Sequence, residues 1–149
     1  MKEPVVTDST CLIGLERIGH LDLLPALFEP VIAPPGVHQE FGVPLPWLQM
    51  ETPSDTVLIA ALKILVDDGE AEAIALASAR GHRIILDDRQ ARSVAKQLHL
   101  PIIGTIGVLL RAKRARLIVV LKPVLNDLED SGFYVTDALK EEALQLAGE

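Results

Sequence analysis

The chain has 149 residues, 49% of them hydrophobic and only 3% aromatic, with a formal net charge of −7 and one cysteine. That is a single domain's worth of sequence (residues 1–149), long enough to bury a core of Leu, Ile, Val and Ala without disulfides. The acid excess argues against a general nucleic-acid binder with a basic surface, and no apolar run is long enough for a transmembrane helix.

Met1-Lys2-Glu3-Pro4 leads into a strand and not into a secretory signal. The lone Cys11 makes no internal bridge, which fits a cytoplasmic protein. The sequence predicts a first strand over 4–8 and then a helix capped by Ser9 or Thr10, with Leu12, Ile13, Leu15 and Ile18 on one face and Gly19 as its stop. A short helix over 21–28 carries Pro25, which fits only its first turn. Residues 31–33 form a second strand, and Pro34-Pro35-Gly36 opens a helical turn reaching Phe41. Seven of the ten prolines lie between Pro25 and Pro53, so this stretch reads as an ordered, irregular connection.

A helix over 55–66 follows, broken by Asp67-Asp68-Gly69, and Glu70 to Arg80 make another that Gly81 ends. Asp67 and Glu70 have capping-box spacing. Next come a strand over 83–87, a helix over 89–99, a strand over 101–103 and helices over 105–116 and 122–131. Phe133-Tyr134-Val135 reads as a late strand, and Thr136 caps a terminal helix bearing Leu139, Ala143 and Leu146. Apolar strands alternating with helices mean βαβ units and a mainly parallel sheet.

Two strands end in acids. Asp8 follows Val5-Val6-Thr7, and Asp87-Asp88 follow Ile84-Ile85-Leu86. The carboxyl edge of an open α/β sheet is where ligands bind. Asp8 could cap the next helix, but Ser9 and Thr10 already offer that service. Successive strand side chains point to opposite faces, so at most one of Asp87 and Asp88 enters a site, while the other caps the next helix or meets solvent. Of Glu70 and Glu72, only one points inward. Glu70, in the first turn, aims at the sheet edge, and Glu72 reads as solvated. Glu40 alone would be an ordinary surface glutamate. Carboxylates about 4 Å apart repel by roughly 4 kcal/mol at an effective dielectric of 20, so such a cluster calls for a cation. Oxygen donors suit Mg²⁺ or Mn²⁺. Zinc is disfavoured, since Cys11 is alone and His20, His38, His82 and His99 lack ligand spacing. Arg111 to Arg116 holds four cations in six residues, with Arg89, Arg92 and Lys96 upstream. A local basic patch on an acidic protein can hold a polyanion.

Three stretches resemble the motifs of PIN domains: Val6-Thr7-Asp8-Ser9-Thr10-Cys11-Leu12-Ile13, then Gly69 to Ala77 with Ile84 to Arg92, then Gly104 to Lys113. The resemblance spans nearly the whole chain. It implies a three-layer α/β/α sandwich with a mainly parallel central sheet, and a Mg²⁺- or Mn²⁺-dependent ribonuclease related to VapC-type toxins. It further implies an RNA substrate, an antitoxin partner and a homodimer. Asp8, Glu40, Glu70 and Asp88 carry over as the catalytic, metal-binding acids, with Asp87 the alternative ligand. Asp88 matches the family's Thr-x-Asp position, Leu86 standing where Thr is usual. Phosphate contacts fall to Arg89, Arg92, Arg111, Lys113 and Arg114. The alternative is a PIN-fold interaction module without useful catalysis. A haloacid-dehalogenase phosphatase would need a second acid where Thr10 stands, and a receiver domain would need paired acids after strand one and a late lysine.

Overall fold

A computed structural model describes residues 2–149. Its elements run β1 (Glu3–Thr7), α1 (Ser9–Arg17), α2 (Leu23–Leu27), β2 (Phe28–Ala33), α3 (Pro35–Phe41), β3 (Leu48–Met50), α4 (Thr56–Leu62) and α5 (Asp68–Arg80). They continue with β4 (Arg83–Ile85), α6 (Arg89–Gln97), β5 (Ile102–Ile103), α7 (Thr105–Arg114), α8 (Leu121–Asp130) and α9 (Asp137–Leu146). The five strands pair in parallel in the order β3-β2-β1-β4-β5.

Alternation along the strands builds the three layers. Val5, Val31, Ala33 and Ile85 face a core shared with α1, α2, α7 and α8. Val6, Ile32, Ile84 and Leu86 face α5, α6 and Leu62 of α4. Strands covered on both sides explain the unbroken apolar runs. Each fully buried aliphatic side chain contributes about 1.5–3 kcal/mol. The chain winds from β1 out to β3, then returns to β4 on the other side of β1. The winding therefore reverses between β1 and β4, and a crevice opens at their carboxyl ends.

The second strand is longer than expected, Phe28–Ala33 against 31–33, and α4 shorter, Thr56–Leu62 against 55–66. Three further expectations about strands change. The connection before Pro53 contains a strand: Leu48, Gln49 and Met50 pair with Val31, Ile32 and Ala33, an edge pairing that only the tertiary partner decides. The strand expected over 83–87 ends at Ile85, leaving Asp87 and Asp88 in the turn. No strand forms over 133–135. Gly132 takes φ +101, its amide donates to the Glu129 carbonyl, and the Phe133 amide donates to the Leu128 carbonyl. This Schellman closure of α8 uses the residues that would begin a strand. No helix among the described residues is long and apolar enough to cross a membrane.

Candidate functional site

Asp8 leaves β1 in extended conformation and caps α1 in place of the expected Ser9 or Thr10, which lie inside the helix; its Oδ1 accepts from the Cys11 amide at 3.0 Å. The residue is 2% exposed, and its Oδ2 is buried without a hydrogen-bond partner. A buried, unmatched carboxylate oxygen costs on the order of 1–3 kcal/mol or more. Burial first, then the charge of Asp87, and less strongly that of Glu70, push the Asp8 carboxyl well above the usual range.

Asp87 stands across the β1–β4 boundary. Its Oδ1 accepts from the Thr105 amide at 2.8 Å and its Oδ2 from the Thr105 hydroxyl at 2.6 Å. Gly104, the residue at the N-cap of α7, has no side chain to do this. Burial raises the Asp87 carboxyl against the bonds to Thr105 and the Arg92 charge, which lower it. Arg92 also donates to the Leu86 carbonyl at 2.8 Å, fixing the strand end. A Cβ on Gly104 would lie 3.0 Å from Arg92 and 3.1 Å from Asp87, so the glycine is what lets this cluster close.

Asp88 is exposed, and its Oδ2 caps α6 by accepting from the Ala91 amide at 2.9 Å. The acid matched to the family motif thus holds a helix, and its neighbour Asp87 takes the place beside Asp8. The reason is local: once β4 stops at Ile85, Asp88 is the last extended residue before α6. Asp88 still bears on the cluster through its charge, which raises Glu70.

Glu70 lies in the capping box of α5. Its Oε1 accepts from the Asp67 amide at 3.3 Å while its own amide donates to Asp67 Oδ1 at 2.7 Å. Burial, then the Asp67 charge, raise its carboxyl to about 7. Glu40 is exposed near the end of α3, where its Oε2 would meet a Cβ on Gly69 at 3.5 Å, one residue from Glu70. Glu72 is not simply solvated. Its Oε1 accepts from the Gly36 amide at 3.4 Å and ties α5 to the start of α3.

The cations divide. Arg89 and Arg92 line a cleft of about 430 Å³ together with Lys96, beside the acid pair. Arg111 and Lys113 do not belong to this edge. Arg111 bonds Glu3 at 2.6 Å and sits 5.4 Å from the Phe28 ring centre, at the amino end of β1. A five-residue strand, at about 3.3 Å per residue, separates that end from Asp8. Lys113 donates to the Val119 carbonyl at 2.6 Å and pairs with Glu149 at 3.1 Å. Arg114 is exposed on the last turn of α7, remote from Thr105 at its start.

Sequence reading missed Thr105, fully buried and the main partner of Asp87. A hydroxyl directly after Gly104, opening a helix, was the only signal. It also missed that Cys11 lies behind the acid pair, where burial, then Asp8 and Asp87, push its thiol well up.

These donors suit a hard cation. The unpartnered Oδ2 of Asp8, on a carboxyl that the charge of Asp87 raises, is an oxygen that a divalent ion would satisfy. Among the described residues, no three Asp, Glu, His or Cys side chains stand ready as a chelate, because Glu70 and Asp88 are held by their caps. Mg²⁺ needs only one or two carboxylates, with waters and substrate phosphate completing its shell.

A family model described as a PIN domain matches residues 4–149. No curated protein matches the chain.

Proposed function

The chain belongs to the PIN-domain family, whose members are typically nucleases, and we propose that it is a Mg²⁺- or Mn²⁺-dependent endoribonuclease. The carrying observation is the buried Asp8 carboxylate, whose Oδ2 has no partner and which, after burial, is raised most by the charge of a second acid, Asp87. Asp8 and Asp87 would hold the ion, with Glu70 and Glu40 at its rim and Asp88 acting through Glu70. A divalent ion bound there supplies an activated water and charge stabilisation for in-line displacement at phosphorus. Thr105 fixes the orientation of Asp87. Arg89 and Arg92 receive flanking phosphates of the RNA.

The same reading makes the protein a toxin of a toxin–antitoxin pair, cytoplasmic, homodimeric and restrained by an antitoxin. Val57 and Ile64, 80% and 83% exposed on and just after α4, support a partner surface. The rival reading, a PIN-fold interaction module, is favoured by the helix caps that already engage the carboxylates of Glu70 and Asp88.

Mn²⁺ titration and cleavage of mixed RNAs by wild type and Asp8→Asn separate the two. Metal binding and cleavage lost together in Asp8→Asn support the nuclease. Equal activity in both proteins, or no Mn²⁺ binding to wild type, overturns it.

A further inference from the structure

Three clefts join end to end, meeting the carboxyl edge at Asp87 and running from there down beside α1 on one side and α6 on the other. The first, about 470 Å³, includes Arg17, Asp87, Phe133 and Tyr134. The second, about 520 Å³, shares Asp87, Phe133 and Tyr134 with it and adds Arg92 and Ile102. The third shares Arg92 and Ile102 and ends in Arg89 and Lys96. Cations therefore stand at both ends, and Asp87 and an aromatic ring stand where the first two clefts meet.

That ring belongs to Tyr134, the chain's single tyrosine, and it is 84% exposed. Its position is fixed from below. The Schellman closure of α8 sets the chain direction, and Phe133 packs on α1 at Gly14, where a Cβ would lie 3.1 Å from the ring. Arg17 donates to the Ser131 backbone carbonyl at 3.4 Å, a long contact that leaves most of its guanidinium donors free. A large aromatic held out beside an anionic centre buries little and adds little to the core.

We propose that these clefts form one trough for single-stranded RNA, with a base stacked on Tyr134 and phosphates held by Arg17 on one side and by Arg89, Arg92 and Lys96 on the other. This rests on the nuclease reading for its direction past Asp87. Stacking needs an unpaired base face, which selects a single strand over a duplex. The cations track the backbone whatever the sequence.

The test is fluorescence anisotropy with a labelled single-stranded oligoribonucleotide of mixed sequence. Ca²⁺ neutralises the acids, and strand length is checked by gel after each titration. Tyr134→Phe should bind as wild type, and Tyr134→Ala about ten-fold more weakly. Lys96→Gln and Arg17→Gln should each flatten the salt dependence by about 0.7 in slope. Arg114→Gln should change nothing. Wild-type affinity in Tyr134→Ala, or an equal loss in Arg114→Gln, overturns the trough. Repeating the series with Mn²⁺ separates the two ideas. Tyr134-dependent binding without any cleavage upholds the trough and removes the nuclease. Cleavage with Tyr134-independent binding does the reverse.

Discussion

Asp87 caps a helix it does not belong to: both of its carboxylate oxygens are held by Thr105, at 2.8 Å from the amide and 2.6 Å from the hydroxyl. The start of α7 thereby fixes an acid delivered by β4. Thr105→Val keeps the side-chain shape and removes the hydroxyl. It should lower stability by about 1–2 kcal/mol, seen as a melting-temperature drop of several degrees. Mn²⁺ affinity should fall with it. Unchanged Mn²⁺ affinity in Thr105→Val would show that Thr105 does not orient the site.

The two neighbouring acids should separate cleanly. Asp88→Ala loses the α6 cap at a cost of about 1 kcal/mol, and Asp88→Asn recovers most of it. Asp87→Asn should abolish Mn²⁺ binding and cleavage while leaving α6 intact. Calorimetric metal titration beside thermal melts gives both readings. Retained cleavage in Asp87→Asn, with loss in Asp88→Asn, would reverse the assignment.

Asp8→Asn should stabilise the metal-free protein. It removes a buried charge facing Asp87 and Glu70 and keeps an oxygen for the Cys11 amide. A gain of about 1 kcal/mol corresponds to a rise of about 2–4 °C for a chain of this size. The same variant should show no further rise on adding Mn²⁺, unlike wild type. A lowered melting temperature would contradict this account of the buried carboxylate.

Much of this edge was readable in advance because local pattern carries it. Val5-Val6 running into Asp8 marks a strand and its end, and Asp67 with Glu70 marks a cap, which the structure contains. The choice between Asp87 and Asp88 was not readable. It turns on whether β4 stops at residue 85 or 87, and pairing with Ile103 decides that. Thr105 reaches Asp87 across 18 positions, beyond any periodicity. Phe133-Tyr134-Val135 looks like a strand by composition, yet Gly132 commits the preceding turn to closing α8.

Stability of the metal-free protein should fall as pH rises. Glu70 titrates near 7 when folded against 4.5 when free, and Asp8 and Asp87 shift in the same direction. The folded state therefore binds more protons in this window. That contribution is complete below about pH 4.5 and is lost as pH climbs through about 7. Glu3 and Glu149 shift downward, so their opposite effect lies at lower pH. Melts at about pH 5 and about pH 7.5 check this. Saturating Mn²⁺ should restore stability at the higher pH. A metal-free protein more stable at the higher pH would refute it.

Arg111→Gln should cost stability without touching RNA affinity. It breaks the contacts with Glu3 and Phe28 at the far end of β1. Exposed ion pairs are worth about 0–1 kcal/mol, so the melting change should be small. A large fall in RNA binding would put this end of the sheet back into the substrate path.

The reversal of winding between β1 and β4 also sets a timetable. Val5 pairs with Arg83 and Thr7 with Ile85, so the first acid waits for the second half of the chain. At about 5–20 residues per second, a ribosome needs about 5–20 s to travel from Asp8 to Thr105. Contacts this distant in sequence also form slowly once the chain is available. An emerging chain carries Asp8 with nothing opposite it, so a nuclease built this way would stay inert beside the message and ribosome that make it, and turn competent only after most of its length has been released.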